Sequence, residues 1–399
     1  MRVSLAVHPP ALEYPADHRS EALPQALVSG PDIVLGDFCQ ENALPGAIRP
    51  RADTLFGPRG ACLTAAGGPL WVCDTGHHRL LGWRELPAGD NTAADWVIAQ
   101  ADFYSEGRNG KRTVDAASLN VPTGITAYGN GMAVADAWNH RVLIWRDLPQ
   151  DSNVPADIVL GQSGFTKAEP NRGFAKPGPD TLYWPYGVFA DGDRLFVADS
   201  QNRRVLMWNS IPDTHGQAAD LVLGQTDFAS RDENAGGAPN AMSMRWPHAM
   251  TLWQGRLCIA DAGNNRIMVW PRVPDHNGSA CEIILGQAHA GLVDHNQSLY
   301  WPRGDTLNMP YGITAIDDWL IVADTANSRL LGWHSDDRSS GTTARALTGQ
   351  PDFRSKGDNR WQLPARDSLC WPYAIQACSP YVVVADSGNN RVQLWKLKV

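Results

Sequence analysis

The sequence predicts an all-β protein, a six-bladed β-propeller built from four-stranded antiparallel blades. The first observation is a segment with Asp, Arg five residues later and Trp four residues after that, which occurs six times at intervals of 62 or 63 residues. The second is a β-branched, apolar run that ends in Gly-Gln in most repeats, and the third is a Pro-x-Gly or Pro-x-Ala segment before each Asp. A period of this length indicates stacked units, and four short strands per unit make a propeller blade.

These landmarks divide each repeat into strands A to D. Strand A begins at the proline segment, at Pro58, Pro122, Pro185, Pro247, Pro310 and Pro372. Strand B ends at the repeated aspartate, at Asp74, Asp136, Asp199, Asp261, Asp324 and Asp386. Strand C begins at the Arg and ends at the repeated tryptophan, at Trp83, Trp145, Trp208, Trp270, Trp333 and Trp395. Strand D is the apolar run before Gly-Gln, because β-branched residues bounded by turn residues favour strands.

The order of the runs predicts how the propeller closes. A run of the strand D type at residues 32–37 precedes the first strand A, and none follows Trp395. The last blade is therefore expected to be closed by an N-terminal strand, which removes the free sheet edge. Residues 31–399 then form a single propeller, and residues 1–30, which match no repeat, form an N-terminal surface extension.

The repeated Asp and Arg side chains are interpreted as structural. A catalytic group is needed once, whereas this pair recurs in every repeat. Asp at a turn accepts backbone N–H bonds and pairs well with Arg. The Trp at the end of strand C is expected to fill the widening gap between blades, since an aromatic side chain buries a large apolar area.

Composition narrows the range of partners and locations. The net charge is -8 and the pI is about 5.7, which argues against nucleic acid as a partner. No apolar run is long enough to cross a membrane, and prolines at positions 9 and 10 interrupt any secretory apolar segment. The seven cysteines contain no C-x-x-C pair. We therefore expect a cytoplasmic protein without a cofactor, with calcium or zinc as the alternative.

The residues between Pro and Gly or Ala are expected to ring the mouth of the central channel. This set comprises Arg59, Thr123, Tyr186, His248, Tyr311 and Tyr373, and three aromatic residues precede the prolines, Trp184, Trp246 and Trp371. One interpretation is an aromatic pocket with Arg59 and His248 as polar anchors, which is typical of ligand sites. The other is that these aromatic side chains only pack between blades.

The connections between strands D and A are about 20 residues long, against about 11 residues between strands C and D. Loops of that length in a compact fold usually carry function. The D-to-A loops and the B-to-C turns should share one face, and we expect the binding surface there.

Two of the turns resemble the NHL repeat. The residues that carry the resemblance are Asn139-His140-Arg141-Val142 and Asn264-Asn265-Arg266-Ile267, and the Leu-Gly-Gln-x-Asp-Phe strands are similar to those of bacterial NHL-repeat proteins. The resemblance covers residues 32–399 and implies an NHL-type propeller. It also implies a protein partner, such as a redox-enzyme complex, because some bacterial relatives are associated with hydrogenase or other redox gene clusters.

The function predicted from these observations is a non-catalytic interaction platform that binds a protein or a small molecule on the D-to-A face. The alternative is a metal-dependent lyase or hydrolase at the channel mouth near His248. NHL-like amidating lyases hold zinc with several channel histidines, and only His248 stands at the matching register here. His289, Asp294 and His295 are a second, weaker candidate metal site.

Overall fold

The computed structural model describes residues 30–36 and 48–396 of the chain. The strands form six four-stranded sheets in which every neighbouring pair is antiparallel. The predicted six-bladed β-propeller is confirmed. The predicted extension, residues 1–30, lies outside the described residues except for Gly30. Among the described residues, no helix is long and apolar enough to cross a membrane.

The strands follow the predicted order A to D in each blade. Blade one consists of Gly60–Leu63, Leu70–Asp74, Arg79–Trp83 and Trp96–Ile98. Blade two consists of Pro122–Tyr128, Gly131–Asp136, Arg141–Trp145 and Ile158–Leu160. Blade three consists of Pro185–Asp191, Arg194–Asp199, Arg204–Trp208 and Leu221–Leu223. Blade four consists of Pro247–Trp253, Arg256–Asp261, Arg266–Trp270 and Ile283–Leu285. Blade five consists of Pro310–Ile316, Trp319–Asp324, Arg329–His334 and Ala346–Thr348. Blade six consists of Ile33–Leu35, Pro372–Cys378, Tyr381–Asp386 and Arg391–Lys396.

Blade six is closed by the N-terminal strand, as predicted. Ile33–Leu35 pairs with Arg391–Lys396, and Ile33 lies opposite Leu394. Asp32 strengthens this junction, because its carboxylate accepts the Lys396 N–H at 2.7 Å and its own N–H donates to the Leu394 carbonyl at 2.9 Å. The strand thus completes the last sheet as its outermost strand and covers the edge of Arg391–Lys396.

The D-to-A loops and the B-to-C turns share one face, which we call the long-loop face. Pro122 at the start of strand A pairs with Asp136 at the end of strand B, and Leu160 at the end of strand D pairs with Val142 near the start of strand C. Each B-to-C turn is a 3₁₀ turn: Thr75–His77, Ala137–Asn139, Ser200–Asn202, Ala262–Asn264, Thr325–Asn327 and Ser387–Asn389. Five D-to-A loops contain a further one: Arg108–Lys111, Pro170–Gly173, Glu233–Gly236, His295–Ser298 and Asp358–Trp361.

The repeated tryptophans fill the space between blades. All six are at most 2% exposed. In blades one to five the indole N–H donates to a carbonyl nine residues later, in the C-to-D loop, at 2.8–3.1 Å. Each of these tryptophans therefore packs the core with its ring and fixes a loop of the opposite face with its nitrogen.

The repeated aspartate accepts hydrogen bonds from three parts of its blade. In blade two, one carboxylate oxygen of Asp136 accepts the Asn120 N–H at 2.7 Å. The other oxygen accepts from Asn139 at 2.7 Å and from the Nε of Arg141 at 2.7 Å. The Asp–Arg pair recurs in all six blades at 2.7–3.0 Å with both side chains fully buried. In blade one, His77 takes the place of the Asn and pairs with Asp74 at 2.8 Å.

The repeated arginine ties two long loops to the blade. The guanidinium of Arg141 donates to the Phe165 carbonyl in the loop that leaves the blade, at 2.6 Å. It also donates to the carbonyls of Asp115 and Ser118, in the loop that enters the blade, at 3.0 and 2.8 Å. Blades three to five repeat this pattern. The structural role predicted for the repeated Asp and Arg is confirmed.

A further bond joins neighbouring blades. The residue before the strand A proline has left-handed backbone in five blades, at Gly57, Val121, Trp184, Met309 and Trp371, with φ of 51° to 60°. Each donates its N–H to a side chain in the B-to-C turn of the preceding blade: Asn390, His78, His140, Asn265 and Ser328, at 2.8–3.2 Å. Left-handed backbone costs free energy in residues other than glycine, and the bond offsets that cost.

Removing one aspartate should destabilise the protein strongly. Asp324→Ala leaves the buried guanidinium of Arg329 without a counter-ion and the Asn308 N–H without an acceptor. We expect the free energy of unfolding to fall by about 3–5 kcal/mol, measured by chemical denaturation.

The matched control is Arg303→Ala, which removes the solvent-exposed ion pair between Arg303 and Asp305. That substitution should cost at most about 1 kcal/mol. Equal effects of the two substitutions would contradict the role assigned to the buried pair.

Candidate functional site

The predicted ring residues lie at the start of strand A, where the strand is irregular. In blades two to six the pairing of strands A and B shifts between the proline and the second or third residue after it. Such a bulge places an extra residue in one strand and redirects its side chain. In blades four to six the unpaired residue is the one after the proline, and its side chain, that of His248, Tyr311 or Tyr373, lines the channel.

A glycine directly after the ring position lets the A strands of neighbouring blades approach each other closely. A Cβ on Gly187 would lie 1.9 Å from the His248 carbonyl oxygen, and one on Gly60 would lie 2.0 Å from that of Thr123. These two positions accept only glycine at the present spacing, which explains the Pro-x-Gly pattern in physical terms.

Four of the ring residues form a continuous aromatic cluster. The ring of His248 stacks on Tyr311, with centroids 4.2 Å apart and an angle of 12°. Tyr186 lies against the other rings, 4.1 Å from His248, and Tyr373 lies 4.7 Å from Tyr311. Tyr186, His248 and Tyr311 are at most 6% exposed. The sequence placed these residues together correctly.

Arg59 completes the cluster and brings its charge. Its guanidinium lies over the ring of Tyr373, 4.7 Å from the centroid, a favourable cation–π position. The hydroxyl of Tyr186 lies beside the same guanidinium but is buried without a hydrogen bond of normal geometry. Burial raises the pKa of Tyr186, and the nearby charge of Arg59 opposes the rise. Tyr186 is therefore a neutral phenol whose hydroxyl is available to a ligand.

His248 is neutral in the folded protein. Burial, together with the positive charge of Arg59, lowers the pKa of His248 from its ordinary value of 6.5 to about 3. Its Nδ1 lies 3.0 Å from the Trp246 carbonyl oxygen, which can only accept. Nδ1 therefore carries the proton, and Nε2 carries the lone pair.

Thr123 stands at the ring position but does not line the channel. It is fully buried, and its hydroxyl donates to the backbone carbonyl of Tyr186 in the next blade at 2.7 Å. The short side chain is satisfied by the neighbouring backbone, so it contributes to blade contact. The predicted ring thus has five members in the channel, not six.

The three predicted tryptophans form a second layer outside the channel lining. Trp246 lies 5.2 Å from His248, and Trp184 lies 5.6 Å from Trp246. Trp371 stacks on Tyr373 at 6.5 Å. All three are partly buried, and the indole nitrogen of Trp184 is buried without a hydrogen-bond partner. These three side chains therefore pack behind the aromatic residues that line the channel.

A cavity of about 450 Å³ runs along the inner strands. The aromatic cluster and Arg59 form its wall on the long-loop side. The sides of the cavity are small or apolar residues of strand A, such as Ile125, Val188 and Ile313. Near the other end, Thr64, Ala127 and Ala190 are partly exposed. The cavity is therefore most accessible from the face opposite the long loops.

A surface feature that the sequence reasoning missed lies on the long-loop face. Ten large apolar side chains are exposed in the described part of the chain: Phe56, Tyr104, Trp138, Phe174, Met242, Leu292, Leu299, Tyr300, Trp361 and Leu363. All ten lie in D-to-A loops or in a B-to-C turn. No residue of this kind is exposed in the described loops of the opposite face. Their position in long loops was the only signal in the sequence.

The second candidate metal site is not assembled in the structure. His289, Asp294 and His295 are all exposed, and the Asp294 carboxylate accepts the Ser298 hydroxyl at 2.7 Å. Across residues 30–36 and 48–396, no three His, Cys, Asp or Glu side chains lie close enough together to hold a metal ion. A metal-dependent activity near His248 stays a prediction.

Solved structures of low sequence identity are similar to the chain. No protein-family model and no curated protein matches the chain. Among solved structures, the chain is similar to the WD40 β-propeller domain of Doa1, with 9% identity, a TM-score of 0.44 and coverage of 86% of this chain and 79% of that one. It is also similar to virginiamycin B lyase from Staphylococcus aureus, with 12% identity, a TM-score of 0.41 and coverage of 88% and 87%. A third similar structure is a nidogen/laminin complex, with 13% identity, a TM-score of 0.40 and coverage of 73% and 83%.

The depressed pKa of His248 predicts a pH dependence of stability. Between about pH 6.5 and 3 the unfolded state binds the proton and the folded state does not, so stability due to this residue is lost as the pH falls. His248→Phe should remove that loss, about 1.4 kcal/mol per pH unit. The measurement is chemical denaturation at pH 7.0, 6.0, 5.0 and 4.5, values chosen as roughly bracketing the transition.

The control is His276→Phe at an exposed histidine, which should keep the wild-type pH dependence. If His248→Phe also keeps it, His248 is not buried in its neutral form.

Proposed function

We propose that this chain is a non-catalytic interaction platform that docks a protein partner on its long-loop face. The observation that carries the proposal is the confinement of all ten exposed large apolar side chains to that face. Exposed apolar groups collected on one surface are typical of protein contact sites. Four of the ten are Tyr or Trp, and two of these four carry a nearby cation, a composition typical of interface anchors.

Two local clusters combine an exposed aromatic ring with a cation. Arg108 lies over the Trp138 ring at 4.9 Å, and Lys356 lies over the Tyr300 ring at 3.9 Å. Tyr300 is 71% exposed. A partner with an apolar patch bordered by carboxylates would bury the rings and pair with the cations, which is the charge pattern that these clusters favour.

The loops that carry these side chains are held in place before a partner binds. Gln162, two residues after strand D, donates from its side chain to the carbonyls of His140 and Glu169 at 3.0 and 2.9 Å. The equivalent Gln residues of four other repeats make the same pair of bonds. A surface that is already ordered loses less conformational entropy on binding.

The proposal also includes the class of propeller, its location in the cell and the kind of partner. The NHL resemblance supports a bacterial NHL-type propeller in the cytoplasm, with a redox-enzyme complex as the kind of partner implied. The six cysteines of the described residues are all free, which suits a reducing compartment.

The proposal is tested by capture with matched variants. Tagged wild-type protein is used to capture partners from an extract of the source organism, and the dissociation constant of a purified partner is then measured. The test variant carries three substitutions on the long-loop face: Tyr104→Ser, Phe174→Ser and Tyr300→Ser. We expect affinity to fall by about tenfold or more, because aromatic anchors dominate interface energy.

The control variant carries three substitutions of exposed residues on the opposite face: Arg146→Ser, Arg272→Ser and Arg338→Ser. It should bind as the wild type does. Partner binding that survives the long-loop variant, or that only the opposite-face variant abolishes, rejects the proposal, as does the failure to capture any partner.

A further inference from the structure

The central cavity has a distinct electrostatic character. Of the described residues that line it, Arg59 alone is charged, and it stands at the wall formed by the aromatic cluster. The other polar lining groups are neutral hydroxyl, thiol, amide and imidazole groups, among them Thr126, Cys62 and Gln376. The cavity therefore has one fixed positive charge, at its inner end, in a lining of otherwise neutral groups.

Arg59 differs from every repeated arginine because no carboxylate of the described residues pairs with it. The guanidinium of Arg141 is saturated by Asp136 and by three backbone or side-chain acceptors. Arg59 forms no ion pair with any residue in the described ranges, and its one close ring contact is Tyr373 at 4.7 Å. A partly buried cation without a counter-ion is costly, and an anion in the cavity would remove that cost.

A second group at the same wall lacks an acceptor for its proton, because the neighbouring guanidinium can only donate. The Tyr186 side chain is 94% buried, since its exposed fraction is 6%, and its hydroxyl makes no hydrogen bond of normal geometry. The hydroxyl lies beside the Arg59 guanidinium. A buried polar atom without a partner is rare in a folded protein, and it points to a ligand that supplies one.

We propose that this cavity binds a small monocarboxylate with an apolar body. The carboxylate pairs with the Arg59 guanidinium, whose planar fork matches two carboxylate oxygens, and it accepts the Tyr186 hydroxyl. The apolar body lies along the inner strands, against Ile125, Val188 and Ile313. One positive charge balances one negative charge, whereas a phosphate dianion would keep an uncompensated charge in a cavity whose described lining holds no second cation.

The ligand enters from the face opposite the long loops. The aromatic cluster forms the wall of the cavity on the long-loop side, and the partly exposed lining residues Thr64, Ala127 and Ala190 lie at the other end. This site is separate from the surface proposed for protein docking. Failure of either proposal leaves the other standing.

The first experiment compares ligands on the wild-type protein by isothermal titration calorimetry. Benzoate is the probe, benzamide is its neutral analogue of nearly the same shape, and inorganic phosphate is the dianion. Benzoate should bind at one saturable site, at least about tenfold more tightly than benzamide or phosphate, because the charged contact is absent or mismatched in those two. No benzoate binding, or benzamide or phosphate binding as tightly, overturns the proposal.

The second experiment uses variants at the cavity wall. Arg59→Gln should weaken benzoate binding by about 10- to 100-fold, and Tyr186→Phe by about 3- to 10-fold. The control is Arg84→Gln, another arginine that lies over an aromatic ring, 5.3 Å from Trp96, but outside the cavity. Its affinity for benzoate should equal that of the wild type.

Circular dichroism and the melting temperature establish that each variant is folded. If Arg59→Gln does not fold, Tyr186→Phe and the comparison of benzoate with benzamide decide the question. Wild-type affinity in a folded Arg59→Gln variant overturns the assignment of Arg59.

Discussion

The buried Asp–Arg pair is the interaction on which the rest of the molecule depends. In blade two, Asp136 fixes the guanidinium of Arg141, and that guanidinium fixes one loop on each side of the blade. A buried ion pair by itself is weak support for a fold, because desolvation offsets much of the attraction. Here nearly every other donor and acceptor of the two side chains bonds to a backbone group of an irregular loop. Such loops have no strand-to-strand hydrogen bonds to satisfy their backbone groups. Because the pair recurs in all six blades, it holds the loops of the whole long-loop face in place.

The bonds between blades follow the same logic, and one exception shows how specific they are. Where the B-to-C turn offers an acceptor, as at His140 or Asn265, the residue before the next proline takes up left-handed backbone to reach it. Blade three has Arg203 at that turn position, and a guanidinium cannot accept. Trp246 accordingly keeps ordinary backbone and donates its N–H to Asp261 of its own blade at 3.0 Å.

The sequence was sufficient for the features that periodicity encodes. The blade order, the N-terminal closing strand and the gathering of Tyr186, His248, Tyr311 and Tyr373 all follow from the register of repeated residues. Thr123 was misplaced in the channel because register gives the position of a backbone atom, and a short hydroxyl side chain is redirected by the nearest carbonyl. The exposed large apolar side chains of the long-loop face could not be predicted from the sequence, for a different reason. Exposure in an irregular loop depends on which loop side chains turn inward, and no period governs that choice.

The closing strand imposes an order of events on the newly made chain. Ile33 pairs with Leu394, so the contact that completes the propeller joins residues at nearly opposite ends of the sequence. During synthesis the N-terminal strand has no partner until the last blade has left the ribosome, whereas blades one to five can form from local hairpins as they emerge. The N-terminal strand is only three residues long, which limits its exposure during this time. A strand of that size offers few backbone groups to a neighbouring chain, so the nascent protein waits for its own C-terminal strand with little exposed edge.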